Sequence, residues 1–507
     1  MSTDRIDSRG VASARHAPLA MDAAEFREQG YRLVDLLAEL LASVPARKVT
    51  PGESPAQVRE ALELGGPLPE HGRPTGLLLE ETARRLFEHS LFNGHPRFFG
   101  YITSSPAPIG MLADLLAAAV NPNGGAWTLS PAGSEIERET VRWVAELIGY
   151  PADCAGLLVS GGNMANFVGF YAARAAKAPW KVREQGSHPP TGGRLRVYAS
   201  AETHTWIQKA TDLAGLGTDA IRWIATDSAQ RMSVAALARQ IEADRAAGDH
   251  PFLVVGTGGS VSTGAVDPLP AIAAVCREHE LWFHVDGAYG ALAAAVEDCP
   301  PDLRGLSEAD SVAVDPHKWL YAPLEAGCAL VRDPERLRAA FSYHPPYYHF
   351  EEETLNFVDY GPQNSRSFRA LKVWLALRQA GAAGYRQMIG DDMRLSRVMA
   401  EAVEAEPELE LVTQALSIAT FRFVPADLRA RAAEPRVLEY LNDLNQRLLA
   451  GSQQGGETFV SNAVIDGRYV LRACIVNFHT EIADVKAVPA ILVRLGRELD
   501  AQRPGGL

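Results

Sequence analysis

The chain has 507 residues, with 62 acidic against 49 basic side chains and a net charge of −13. That length allows two or three domains around a large buried core, and 47% hydrophobic residues is ordinary for a globular protein. The acidic balance argues against non-specific binding to nucleic acid or anionic membranes, and no apolar run reaches transmembrane length.

The first twenty residues carry scattered arginines and no apolar segment, so a short disordered lead is expected rather than a secretory signal. Leu33, Val34, Leu37, Leu40, Leu41 and Val44 follow helical spacing and predict an amphipathic helix over about 21–44. A Pro/Gly-rich connector from Pro51 to Pro74 separates it from a second helix over about 78–90. Seven short apolar runs come next, at 156–160, 195–199, 220–224, 252–256, 281–285, 311–314 and 326–331. Helical patterns separate most of them, for example at 163–178, 232–246 and 269–279. That rhythm predicts an α/β domain with a mainly parallel, seven-stranded sheet. Ligands of such sheets bind beyond the carboxyl ends of the strands. Residues 343–364 have no clean period and read as a long functional loop. From about 386, long helices (384–406, 435–450, 481–499) alternate with strands at 418–423 and 468–475, the pattern of a smaller α+β domain.

The five cysteines, Cys154, Cys276, Cys299, Cys328 and Cys474, are far apart and form no CxxC pair. Neither a zinc ribbon nor a disulfide framework is indicated, and a cytoplasmic location is the default.

Lysine is scarce: only Lys48, Lys177, Lys181, Lys209, Lys318, Lys372 and Lys486 occur among the 49 basic residues. Arginine therefore supplies the routine surface charge. Lys318 sits in the apolar run Val312-Ala313-Val314-Asp315-Pro316-His317-Lys318-Trp319. A lysine amine can form a Schiff base with a carbonyl, which arginine cannot do. The alternative is a structural lysine whose stem packs while its head reaches water.

Three further clusters follow strand candidates. Ser160-Gly161-Gly162-Asn163 stands between a strand and a helix, where free N–H groups could meet an anion; a tight turn with Asn163 as helix cap is the alternative. Asp286 ends its strand with His284 on the same face, and a buried aspartate needs a partner such as a protonated ring nitrogen. Ala288 is small enough to let a flat ring lie against the backbone. His204 follows the run 195–199 and could stack on the ring from the other face. Asp286 and Lys318 are about one βαβ unit apart, which puts both at one sheet edge.

Together GLLVSGGNMAN, HVDGAYG, GSVSTGAVDPL, DPHKWLYAP and QNSRSFRALKVW resemble the group II pyridoxal-phosphate-dependent decarboxylases, and among them the aromatic-L-amino-acid decarboxylases. HPRFFGYITSS, MLADLLAAAVNPNGGAWTLSPAGSEIE and YVLRACIVNF extend the resemblance over about 21–500. It implies the fold-type I architecture: an N-terminal helical segment clasping a partner (1–105), a large cofactor-binding domain (106–385) and a small C-terminal domain (386–507). It implies a homodimer with shared active sites, pyridoxal 5′-phosphate as cofactor, an amino acid as substrate, and no resident metal. Lys318 would bind the cofactor aldehyde, Asp286 would hold its ring nitrogen protonated, and His204 would stack on the ring and face the substrate. Gly162 and Asn163 would hold the phosphate with help from Asp315, and His317 would buttress the site. Tyr360 resembles the mobile-loop tyrosine that returns a proton to the substrate carbon, and Tyr101 and Ser104 would line the substrate pocket. The expected reaction is decarboxylation of an aromatic L-amino acid to its amine.

The chain departs from the pattern at Val261, where threonine is common, and at Asn123 and Gly125, where animal enzymes place large apolar residues. An aldehyde synthase or a decarboxylase of a non-aromatic amino acid stays open within the family. From another class, a metal-dependent hydrolase would use the pairs His284/Asp286 and Asp315/His317, which leaves Lys318 without a role.

Overall fold

The computed structural model describes residues 17–187, 192–344 and 354–503. Most of the expected disordered lead, and residues 345–353 of the expected loop, lie outside the described residues. The chain divides into two units, Met1–Phe92 with Gln454–Gly456, and Asn93–Gln453 with Glu457–Leu507.

The first unit is helical, with helices Ala23–Ser43, Pro55–Ala61 and Thr75–His89. Asp22 caps the first by accepting from the backbone of Ala24 and Glu25. Arg32 pairs with Glu80, and the Val49 N–H donates to the Gly456 carbonyl at 2.9 Å. Phe26, Tyr31, Val34, Leu37 and Leu41 of the first helix are exposed in the single chain.

All seven expected strands are present in one sheet of the second unit. They are β1 (Ala155–Val159), β2 (Leu195–Ser200), β3 (Ile221–Ile224), β4 (His250–Thr257), β5 (Trp282–Asp286), β6 (Ser311–Val314) and β7 (Gly327–Val331). Their order is β1-β7-β6-β5-β4-β2-β3. Strands β6, β5, β4, β2 and β3 run parallel, and β7 is antiparallel to both its neighbours. Strands β1, β5, β6 and β7 are buried along their whole length, as continuous apolar runs in a sheet covered on both faces must be. Thr257 is in register with Asp286, and Asp286 with Ala313, so β4, β5 and β6 end at one edge. Strand β1 points the same way and delivers Ser160–Asn163 to that edge.

Two helices carry no clear signal in the sequence: Pro108–Val120 and Pro131–Leu147, each with proline in its first turn. Helix Ala370–Glu404 is two helical segments joined at Gly381, whose φ of 64° and ψ of 169° are not helical; the segment after it matches the helix expected from 384, and the one before it has no counterpart among the expected helices. A second, antiparallel sheet has the order β10-β11-β9-β8, built from β8 (Leu409–Ala415), β9 (Ile418–Phe423), β10 (Ser461–Ile465) and β11 (Arg468–Cys474). Helices Pro435–Gly455 and Ile482–Asp500 complete this α+β part.

Candidate functional site

Beyond β1 the chain turns at Gly161, whose φ of 128° is a conformation that glycine adopts without strain. Gly161 is also the N-cap of helix Gly162–Lys177, so Asn163 is not its cap. No side chain caps this helix, and its first bond runs from Ala165 N–H to the Gly161 carbonyl at 3.0 Å. The N–H groups of Gly162, Asn163 and Met164 are therefore left without intrahelical partners at the positive end of a 16-residue helix, where they could receive an anion. A Cβ on Gly162 would stand 2.6 Å from Asp315 Oδ2 and 3.1 Å from Ala288 Cβ, so only glycine leaves the cradle open.

Asp286 ends β5 almost fully buried. Its Oδ2 accepts the Trp206 indole N–H at 2.7 Å, and its Oδ1 accepts the Ala288 N–H at 3.2 Å. Each carboxylate oxygen has a second lone pair, which leaves capacity for a protonated ring nitrogen. His284, on the same face, lies between Ser311 Oγ and Asn166 Oδ1, each at 2.7 Å, with Trp206 edge-on at 5.6 Å. Complete burial pushes the His284 imidazole down to about 4 and keeps it neutral. Among the described residues no group of three or more His, Cys, Asp or Glu side chains is arranged to hold a metal ion.

The turn Pro316–Trp319 follows β6 and carries Lys318. Lys318 Nζ lies 3.2 Å from Asp315 Oδ2, and Asp315 Oδ1 is buried without a protein partner. His317 Nδ1 is 2.7 Å from the Ala326 carbonyl. Burial lowers the His317 pKa, opposed by the charge of Asp315. His204 lies beyond β2, where partial burial lowers its pKa against the opposing pull of Asp286.

These groups converge on one cavity of about 640 Å³. Gly162, Asn163, His204, Asp286, Ala288, Asp315, His317 and Lys318 all line it. The structure adds Glu202, Lys209, Thr257 and Tyr289 to the wall, and Trp206 behind it. Thr257 and Tyr289 could have been found from the strand ends, since one closes β4 and the other belongs to HVDGAYG. Nothing in the sequence marks Trp206 as the partner of Asp286.

Three expected residues are not brought to this cavity. Tyr360 lines a different one, of about 610 Å³, with Cys154, Pro334 and Leu355. The short turn Phe357–Asp359 fixes it there: Phe357 is fully buried, and the Tyr360 ring packs edge-on against it at 6.3 Å. Tyr101 is 61% exposed, with its ring near Phe459. Ser104 is buried and gives its hydroxyl to the His317 carbonyl at 2.8 Å, so it supports the lysine turn from behind.

The departures from the expected pattern also have structural places. Asn123 Oδ1 accepts the N–H groups of Gly125 and Arg366, both at 3.0 Å. A Cβ on Gly125 would fall 2.1 Å from the Asn364 carbonyl oxygen, so backbone proximity dictates glycine.

The residues fit a flat, phosphorylated aldehyde with a basic ring nitrogen. The helix N-terminus suits its phosphate, Asp286 its nitrogen, Ala288 and His204 its two faces, and Lys318 its carbonyl. Thr257 Oγ1 and Asp315 Oδ1 are buried polar atoms that still lack partners in the protein.

A family model, the pyridoxal-dependent decarboxylase conserved domain, matches residues 55–424. An aromatic-L-amino-acid decarboxylase of Bacillus atrophaeus is 31% identical over 491 residues, covering 96% of this chain and 98% of the relative. The crystal structure of mouse CSAD superposes with a TM-score of 0.88 at 28% identity, covering 94% of this chain and 99% of that one. Oryza sativa TDC, solved with PLP and tryptamine, gives 0.87 at 28% identity over 96% of this chain and all (100%) of that one.

Proposed function

The chain belongs to the pyridoxal-dependent decarboxylase family, and from that premise we propose that it converts an aromatic L-amino acid to its amine and carbon dioxide. The observation that carries this reading is the placement of Lys318, Asp286, His204 and the uncapped helix at Gly162 around one cavity.

The enzyme uses pyridoxal phosphate, which when bound supplies an electron sink for the pair released as the carboxylate leaves. Lys318 would hold the cofactor by its aldehyde carbon. The carboxylate of Asp286, aimed by the Trp206 indole, would hold the ring nitrogen protonated. The backbone N–H groups of Gly162 and Asn163 would take the phosphate, while Asp315 and His317 steady the lysine turn. His204 and Lys318 are the cavity groups able to hand a proton to the substrate carbon. In its own subunit Tyr360 lines the other cavity, with Cys154, Pro334 and Leu355.

We assign Tyr101 and Ser104 to the rim and the support of the substrate pocket. A homodimer accounts for the exposed apolar side chains of helix Ala23–Ser43, and for Leu112, Leu115, Leu116 and Val120 on helix Pro108–Val120, as surfaces that a second copy covers. Active sites completed by that second copy fit this arrangement. A cytoplasmic location suits the free cysteines. No helix among the described residues is long and apolar enough to cross a membrane.

The test is a panel of L-amino acids incubated with the purified protein and pyridoxal phosphate, read as carbon dioxide, amine and aldehyde. Amine equal to carbon dioxide, with aromatic substrates preferred, is the expected result. Aldehyde in place of amine would move the assignment to an aldehyde synthase.

A further inference from the structure

A carboxylate outside the cavity holds the turn that presents Lys318. Asp392, on helix Ala370–Glu404, lies 73 residues beyond Trp319 in sequence and is 1% exposed. Its Oδ2 accepts two donors, the Trp319 indole N–H at 2.8 Å and the Tyr321 hydroxyl at 2.7 Å. The Asn477 backbone N–H also donates to this carboxyl. Trp319 follows Lys318 directly, and its indole stacks on Tyr289 with centroids 5.0 Å apart. Tyr289 is part of the cavity wall. Tyr321 ends the turn with a φ of 53°, a left-handed conformation that a tyrosine keeps only when its surroundings enforce it. The same helix sends the Tyr385 hydroxyl to the Leu320 carbonyl at 3.1 Å. The three residues after Lys318 are thus all tied to one helix, two of them through a single carboxylate oxygen.

We propose that Asp392 is a positioning residue for Lys318: as a carboxylate it locks the turn that aims the amine into the cavity, and on taking up a proton it loosens that lock. The inference rests on the reading of Lys318 as the cofactor-binding lysine. An ionised carboxylate only accepts, which matches three converging donors. A proton on either oxygen competes with one of them. Burial raises the Asp392 carboxyl to about 7, against the opposing hydrogen bonds from Tyr321 and Trp319. Around it stand Asp391 and Tyr385 on its own helix, Tyr321 and Trp319 on the turn, and the Cys474 thiol on β11. No lysine, arginine or histidine pairs with it among the described residues. A carboxyl raised in the folded state contributes stability that is present below its unfolded value of 3.8 and is lost as the pH rises through about 7. Global stability and the hold on Lys318 should therefore change in opposite directions across neutrality.

Full-length wild-type and D392N protein, stripped of cofactor and reloaded with pyridoxal phosphate, would be compared from pH 6 to 8.5. Cofactor affinity is read from visible absorbance and folding from melting temperature. Asparagine cannot ionise, so the two should bind alike at pH 6. At pH 8.5 the wild type should bind about tenfold more tightly, the scale of one charge-assisted hydrogen bond. A folded D392N with wild-type affinity at both pH values overturns the proposal. Should D392N not fold, W319F and Y321F each remove one donor while keeping the ring, and wild-type affinity in both overturns it equally. If wild-type Lys318 itself takes up no aldehyde, the functional reading has failed, which is a separate result.

Discussion

The indole N–H of Trp206 donates to Oδ2 of Asp286 at 2.7 Å, between two buried side chains 80 residues apart in sequence. A hydrogen bond to a charged group is worth about 1.5–3 kcal/mol when one partner is removed. Trp206→Phe keeps the apolar bulk and deletes the donor. It should weaken pyridoxal phosphate binding by about tenfold or more, measured by absorbance titration. An unchanged affinity would show that Ala288 alone suffices to aim the carboxylate.

Gly162→Ala should act on the cofactor more than on the fold. Its new methyl would overlap Asp315 Oδ2 at 2.6 Å and press on Ala288 Cβ at 3.1 Å, so the Asp315 carboxylate must shift even without cofactor. The melting temperature of the cofactor-free protein should fall modestly, while affinity for pyridoxal phosphate falls more steeply because Asp315 lies 3.2 Å from Lys318 Nζ. Unchanged affinity beside a lowered melting temperature would mean the glycine serves packing alone.

Arg366 and Glu137 form an ion pair whose side chains are 1% and 4% exposed. Arg366 also donates to the carbonyls of Gly124 at 2.9 Å and Leu158 at 2.6 Å, while Glu137 accepts the Leu158 N–H at 2.7 Å. The pair thereby ties the segment near Asn123 to β1. Removing one partner of a buried pair costs about 3–5 kcal/mol. Arg366→Met should lower the denaturation midpoint by that scale, and Arg366→Lys should not rescue it, because the fork geometry is lost. A midpoint within error of wild type would contradict this.

Tyr360→Phe separates two readings. A positioned general acid is worth about 10²–10⁴-fold in rate, the loss expected if Tyr360 returns the proton. Its place in a second cavity, held by Phe357, leads us to expect amine formation within about twofold of wild type. Single-turnover kinetics decide the matter, and a loss of 10²-fold or more would mean that Tyr360 serves the site of a second copy.

The sheet was legible because its strands are continuous apolar runs, which in a chain of alternating elements mark strands buried on both faces. The cavity was legible for the same reason: Asp286, Asp315 and Gly162 stand where strands end, and parallel strands end together. Helix Pro108–Val120 is hard to read because leucine and alanine dominate it and no clear polar stripe marks its period. In helix Ala370–Glu404 Gly381 reads as a break and is one, with non-helical φ and ψ, so the pattern from 384 captures the segment that follows it. Trp206 and Asp392 could not be read at all. Their hydrogen-bond partners are set by tertiary packing across 80 and 73 residues. Tyr360 carries a motif resemblance, but docking of Phe357 determines where its ring lies.

Borohydride reduction of the protein loaded with pyridoxal phosphate, followed by peptide mapping, tests the central claim most directly. One phosphopyridoxyl group on Lys318 is the expected result, with none on Lys209, the other lysine lining the cavity. A label on any other lysine, or none in the loaded protein, would contradict it.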